Sequence, residues 1–372
     1  MKHKVELLKP IDLAETHLAE WRYFQNSSAA LASPYFTPEF TCLVSQVRPN
    51  VMVAVFEENG RIAGFFPFEQ RGRTGSPVGG ILSDCQAIIA APWWDWDPID
   101  LLRATGLCVY DFTHHRAEQS PLKPFHRAVE NSHTINLARG FEAYVKGCRD
   151  RGRMPGTTAS LPHEILARLP RFERQLGPLH FEMHDPNADT LRQLIEWKRQ
   201  QYHRTGAVDV FARLWSNSLL ERIHATQTRT FAGVLSTVSA GDRIVAIHMG
   251  MRSASVLHWW FPAYDVEKAK FAPGLILVLE ACRRAEEFGI RTIELGYGDE
   301  PWKLPIANGA IPVASGFIGL PSGALGYRQF LLGVYQSLDT VSRLPMGPVA
   351  RWPGKVIRRL ERLRLEGFSQ FR

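Results

Sequence analysis

The sequence predicts an α/β protein built from two related halves, and three observations lead there. Val51 to Phe68 and Phe231 to Arg252 share one plan: an apolar strand, a tight polar turn, then Arg-Ile and a second apolar strand. The turns, Asn59-Gly60 and Gly241-Asp242, use residues that tolerate the positive φ of two-residue hairpins. Val256 to Phe261, Pro273 to Phe288 and Ile290 to Leu295 read as strand, helix and strand, a βαβ unit whose strands must run parallel.

Each element has a local reason. The hairpin alignment sets Arg61-Ile62-Ala63-Gly64 over Arg243-Ile244-Val245-Ala246. Between the halves, Phe141 to Cys148 and His163 to Gln175 are amphipathic segments separated by Pro155-Gly156. Thr190 to Tyr202 is a longer helix with Leu191, Leu194, Ile195 and Trp197 at helical spacing. In the βαβ unit, Pro273 suits a first helical turn, Leu275, Ile276, Leu279 and Cys282 form its inner face, and Gly289 suits its stop. In the strand from Val256, His258 and Trp259 should face opposite sides of the sheet.

Composition narrows the class. The chain has 372 residues, 45% hydrophobic and 22% charged, an ordinary globular mix long enough for two domains and a tail. Its five cysteines are an odd number with no C-x-x-C pair, which fits a reducing compartment. The opening residues hold no apolar signal core, and the aliphatic run Leu275 to Leu279 is far too short to span a bilayer, so a cytoplasmic protein is expected. The net charge of +7 permits an anionic partner. Residues 139–177 carry eight Lys/Arg against four acids, and residues 343–372 carry eight against two. In that tail, Lys355 to Leu365 sets Val356, Ile357, Leu360 and Leu363 on one stripe flanked by basic residues. The pattern fits either an interfacial helix on anionic lipid or a helix docked on its own domain.

Ligands of an open parallel sheet sit beyond the carboxyl ends of its strands. Here those ends carry Pro262-Ala263-Tyr264-Asp265 and Gly296-Tyr297-Gly298-Asp299-Glu300. Lys268, Lys270, Pro273 and Gly274 precede and open the helix, where free N–H groups suit a phosphate; an ordinary Pro-started helix with solvated lysines fits the same letters. Asp299 lies in a loop with two glycines, a neighbouring acid, Trp302 and Lys303. A carboxylate there can take a proton from an amine or hydroxyl, and a structural ion pair fits equally. His248 is either a second base or a hydrogen-bonded core residue. Trp93-Trp94-Asp95-Trp96-Asp97 reads as a loop packed on the core, with an aromatic sugar platform as the other reading. There is no Walker loop, G-x-G-x-x-G, G-x-S-x-G or H-E-x-x-H, so no metal site is predicted, and no motif supports specific nucleic-acid reading.

His258-Trp259-Trp260-Phe261-Pro262-Ala263-Tyr264-Asp265, then Ala272-Pro273-Gly274, then Leu295 to Lys303 resembles the BioF2-like acetyltransferase family. These are GNAT-superfamily proteins of the cellulose- or exopolysaccharide-biosynthesis type, related to the FemAB transferases. Pro34 to Phe40 and Trp197 to Tyr202 match in order, so the resemblance spans most of residues 30 to 318. Ala272 replaces the usual serine and Trp302 the usual tyrosine, and the R/Q-x-x-G-x-G/A pyrophosphate loop is replaced by Lys268 to Gly274.

The resemblance implies an α/β fold of tandem GNAT-like halves, each a mixed sheet flanked by helices. The halves would be residues 1–140 and 179–340, with a basic connector at 141–178 and a tail at 341–372. It implies transfer of an acyl group, acetyl from acetyl-CoA, to an amine or hydroxyl of a sugar, exopolysaccharide or envelope precursor, without metal. In that scheme Asp299 is the first candidate base, His248 the second, and Tyr264 protonates the thiolate. Lys268, Lys270, Pro273 and Gly274 hold CoA, while Trp259, Asp265, Gly296, Gly298, Trp302 and Lys303 contact substrate. Peripheral attachment to the inner membrane would bring the enzyme to its acceptor. Two other classes are an aminoacyl-tRNA-dependent FemAB-type transferase and a non-catalytic subunit of an envelope synthase.

Overall fold

A computed structural model describes residues 4–150, 160–298 and 300–342. Asp299 and the tail with its Lys355 to Leu365 stripe lie outside the described residues.

The first part of the chain forms β1 (Lys4–Leu8), α1 (Glu15–Ser27), α2 (Pro38–Val47), β2 (Val51–Glu58), β3 (Arg61–Arg71), β4 (Thr74–Ser76), β5 (Ile89–Ala90), α3 (Pro98–Thr105), β6 (Val109–Arg116) and β7 (His126–Asn136). Then come α4 (Phe141–Asp150), α5 (Leu161–Leu176), β8 (Leu179–Glu182), α6 (Ala188–Thr205), α7 (Leu214–Ala225), β9 (Ala232–Ala240), β10 (Arg243–Arg252) and β11 (Val256–Tyr264). The described chain closes with α8 (Pro273–Arg284), β12 (Thr292–Tyr297), β13 (Gly309–Gly319) and α9 (Gly323–Ser342).

Both expected hairpins form. Asn59 at φ 52° and Gly60 at φ 75° make the turn between β2 and β3, and Gly241 at φ 57° opens the turn between β9 and β10. The βαβ unit forms as β11, α8 and β12. Pro273 stands in the first turn of α8, and a short 3-10 turn extends the helix to Gly289, whose φ of 72° ends it.

The strands join in one mixed sheet, in the order β1-β2-β3-β4-β6-β13-β7-β12-β11-β10-β9-β8, with β5 on β3. It runs through both halves without a break. The seam is the antiparallel pair β7 and β12, from Thr292↔Asn136 to Tyr297↔Ser132. β13 inserts between β6 and β7, so a late strand completes the sheet of the first half.

One pairing positions the site. β11 and β12 are parallel, but they pair only at Val256↔Thr292, Leu257↔Ile293 and His258↔Glu294. Beyond His258, β11 continues to Tyr264 without β12 beside it, so the strands diverge toward their carboxyl ends. Pro262 falls in this stretch, where its missing N–H costs no ladder bond with β12. α8 begins just after that end of β11.

The two faces of the sheet around β11 carry different cores. Leu257 and Trp259 pack with the inner face of α8, through Ile276, Leu277 and Leu279. Trp260 packs in the other cluster with Tyr35 and with Leu191 and Leu194 of α6. Helices α6 and α8 therefore lie on opposite faces of the sheet, and the divergence of β11 from β12 is the opening between those faces. Trp94, of the tryptophan-rich loop, is buried against β3, where a side chain on Gly64 would meet its ring at 2.3 Å.

Candidate functional site

At the last paired position of the diverging strands stand His258 and Glu294, 1% and 3% exposed. Glu294 gathers groups from both halves. Its Oε2 accepts from Ser33 Oγ at 2.7 Å, and its Oε1 accepts from Arg116 Nη2 at 3.1 Å. His258 Nδ1 lies 3.7 Å from Glu294 Oε2, an ion-pair rather than a hydrogen-bond distance. On its other side, His258 Nε2 meets Asp84 Oδ2 at 3.3 Å. The imidazole is thus clamped between two carboxylates, with Tyr35 edge-on to its ring at 4.9 Å.

Asp84 comes from a loop that the sequence reading did not single out. Gln86 holds that loop against β6. Its backbone takes the N–H of Arg116 at 2.8 Å and gives its own to His114 O at 2.9 Å, and its side chain bonds Thr113 from both ends. The Asp84 side chain stays 28% exposed, so it is the member of the cluster that a substrate can reach.

Charge follows from this packing. Burial pulls His258 down, but the hydrogen bond to Asp84 and the charges of Asp84 and Glu294 outweigh it and hold the imidazole above its ordinary pKa. Burial pushes Asp84 up, but the His258 hydrogen bond and charge, with His114 and Lys303, bring it below the usual carboxylate range. Glu294 behaves likewise under His258, Arg116 and Ser33. Each carboxylate thus favours the charged imidazole between them, and the imidazole favours their ionised forms.

Lys303, 5% exposed, donates to Tyr297 O at 2.7 Å and pairs with Glu300 Oε2 at 2.7 Å. Tyr297 packs on His114 with ring centroids 4.4 Å apart. Gly296 and Gly298 adopt φ 77° and 100°, which glycine alone takes without strain, and they turn the chain from β12 into this loop. From α6, Tyr202 feels the charge of Asp84 and Lys198 that of Glu300. Asp84 and His258 thus share the α6 face of the sheet with Lys198 and Tyr202, with Glu300 and Lys303 in the loop after β12.

The other sequence-derived candidates lie elsewhere or have structural duties. His248 is fully buried and stacked on Trp259, with centroids 3.6 Å apart, and its Nε2 accepts the N–H of Trp260 at 3.2 Å. Burial holds it neutral, far below its ordinary pKa, so it serves the sheet. Trp259 is buried with it. Asp265 caps the short turn that follows β11, accepting from Glu267 N–H at 2.9 Å. Trp302 is half-buried, with Lys303 over its ring.

On the α8 face, Tyr264 is 41% exposed beside Gly274. Lys268 pairs with Glu267, and Lys270 lies over the ring of Phe271. Ala272 takes φ 53°, an uncommon left-handed conformation for a residue with a side chain, directly before α8. Among the described residues no cluster of His, Cys, Asp or Glu is placed to hold a metal ion.

Residues 162–304 match the family model described as acetyltransferase (GNAT) domain. That segment is similar to GNAT acetyltransferase domains. Such domains bind an acyl-CoA and an acceptor, and the match supports an acyltransferase. The matched segment holds Lys198, His258, Glu294 and Lys303, whereas Ser33, Asp84 and Arg116 come from outside it. Among solved structures, FemX is similar at a TM-score of 0.54 and 9% identity, covering 87% of this chain and 99% of its own. A tandem GNAT protein from the clavulanic acid biosynthesis pathway is similar at a TM-score of 0.47 and 10% identity, covering 86% and 99%. The likeness to FemX is one of fold. No curated protein matches the chain significantly.

Glu294→Gln leaves Arg116 and His258 with a neutral partner. A stability loss of about 3–5 kcal/mol is expected in denaturant unfolding, the scale of a broken buried pair. The raised pKa of His258 means that its stabilising contribution is complete below the unfolded value of about 6.5 and fades as pH rises through the folded value. The lowered pKa values of Asp84 and Glu294 mean that theirs is present above about 4 and fades as pH falls through the folded values. The full cluster therefore stabilises most between those limits. In Glu294→Gln the His258 resonance should titrate at lower pH than in wild type, and an unmoved titration would refute the clamp.

Proposed function

We propose that the protein transfers an acyl group, acetyl in the simplest case, from an acyl-CoA to an amine or hydroxyl of a sugar, exopolysaccharide or envelope precursor. The observation that carries the reading is the divergence of β11 from β12, with a reactive carboxylate on one face of the opening and a helix start on the other. The donor enters from the α8 face, its phosphates near Lys268, Lys270 and the Pro273-Gly274 helix start. Its thioester reaches into the opening, and the acceptor meets it from the α6 face. The sugar or exopolysaccharide acceptor rests on the sequence resemblance.

The acceptor nitrogen or oxygen attacks the thioester carbon directly. As that bond forms, the nucleophile becomes strongly acidic, so a carboxylate of low pKa can still take its proton. Asp84 is the group placed to do so, held by the His258 imidazolium, with Asp299 as the second carboxylate for the role. Backbone N–H groups along the unpaired edge of β11 stabilise the oxyanion. The C–S bond then breaks, and Tyr264, beside the first turn of α8, gives its phenolic proton to the thiolate.

Three outcomes test this reading. Asp84→Asn keeps the shape of the site and should lower turnover about a hundredfold or more, while Asp299→Asn should change it less. A steady-state assay of CoA release with glucosamine and oligosaccharide acceptors reads both, and the opposite ranking would move the base to Asp299. Replacing Lys268 and Lys270 together by glutamate should weaken CoA binding in calorimetry by about tenfold or more. Equal affinity would place the donor elsewhere. For the tail, each basic residue near an anionic leaflet contributes about 1 kcal/mol. Deleting Lys355 to Leu365 should therefore release the protein from phosphatidylglycerol liposomes at low salt with CoA binding intact. Retention on the liposomes would remove the membrane from the reading.

A further inference from the structure

Four lysines and arginines among the described residues are buried: Arg116, Lys198, Lys303 and Arg328. Three of them have a carboxylate. Arg116 pairs with Glu294 at 3.1 Å, Lys303 with Glu300 at 2.7 Å and Arg328 with Asp111 at 2.6 Å. Lys198, 7% exposed in the middle of α6, has none at ion-pair distance among the described residues. Its ammonium donates once, to Gln201 Oε1 at 3.1 Å, and lies 4.9 Å from the centre of the Tyr202 ring.

An ammonium has three protons to give, and a buried charge without a counter-ion is costly. Burial draws the pKa of Lys198 down to about 8 against the opposing charge of Glu300, so the group remains mainly protonated at pH 7. The fold thus keeps a cation in a place where methionine would pack with no desolvation cost. The position suggests the reason. Lys198 lies over the Tyr202 ring and within reach of the charge of Glu300, on the sheet face opposite α8.

We propose that Lys198 binds an oxyanion carried by the acceptor, a phosphate or a carboxylate, and that the acceptor is therefore an anionic amine or alcohol. The inference rests on the acyl-transfer reading, because that reading makes the α6 face the acceptor side. The donor phosphates lie across the sheet at α8 and do not serve Lys198. The bound oxyanion supplies a counter-charge at ion-pair distance, which none of the described residues does, and brings the nucleophile to Asp84. A neutral sugar alone leaves the ammonium as it is in the free protein.

The test needs neither donor nor transfer. Wild type and Lys198→Met are melted in sodium phosphate, sodium acetate and sodium chloride at one ionic strength. Wild type should show a saturable rise in melting temperature with phosphate or acetate beyond chloride, since a ligand of the native state stabilises by mass action. In Lys198→Met the concentration for half that rise should increase about tenfold or more, the scale of a lost charge-assisted hydrogen bond. The variant should also melt higher than wild type in chloride, having no lone charge to bury. The difference between the two proteins removes phosphate bound elsewhere on this basic chain. A stronger response to phosphate assigns a phosphorylated acceptor, and a stronger response to acetate a carboxylate.

Lys198→Arg should keep the anion response, and Lys198→Gln replaces Met should the latter not fold. If Lys198→Met melts lower and responds to anions as wild type does, the lysine is structural and the proposal fails. That failure would leave acyl transfer untouched. An inactive enzyme with an intact anion response would instead overturn the acyl-transfer reading alone.

Discussion

The carboxylate of Glu294 is the point on which the site depends. It sits on β12, at the last residue paired with β11, and takes a hydroxyl from one loop of the first half and a guanidinium from the end of β6. These partners favour an ionised Glu294, and an ionised Glu294 favours a charged His258. A charged His258 in turn favours the carboxylate form of the partly exposed Asp84. Each step is short-range electrostatics in a poorly solvated place, where such interactions are strong and the loss of one partner is felt by the rest. One side chain thus joins the two halves and biases the protonation of the partly exposed Asp84.

The divergence of the strands gives that cluster its use. Had β11 and β12 stayed paired to their ends, α8 and α6 would face separate compartments. Instead the strands part just past His258, and the proposed transfer would use that gap to bring donor and acceptor together. Residues 162–304 supply the opening and most of the cations, and the first half supplies Asp84. This explains why a chain with one matched acetyltransferase domain buries so much chemistry against its other half.

Much of this was legible where the signal is local. The hairpins were readable because Asn59-Gly60 and Gly241-Asp242 must turn, and the βαβ unit because Pro273 and Gly289 bracket an amphipathic helix. The loop after the second parallel strand was readable from its glycines and lysine, and Gly296, Gly298 and Lys303 stand at and beyond the end of β12. The clamp was not readable. Ser33 and Glu294 are 261 residues apart, and Asp84 and His258 are 174 apart, with no spacing to connect them. The pair Gly79-Gly80, both at positive φ shortly before Asp84, was the nearest local hint of a shaped loop. His248 was ambiguous because an apolar strand around a histidine suits a base and a sheet fixture alike; its stacking on Trp259 favours the fixture.

The insertion of β13 between β6 and β7 bears on how the chain comes into being. The two earlier strands are translated by residue 136, yet the strand that separates them begins at Gly309. A ribosome must add more than 170 residues before the first sheet can close. Until then β6 and β7 present open edges, each able to pair with the wrong strand of the same or another chain. Contacts so distant in sequence are slow to form. The two halves, alike in plan, are therefore not modules that evolution or an engineer can exchange by cutting between them. The last strand of the described sheet is the latch of its first half, which stays open until β13 has been made.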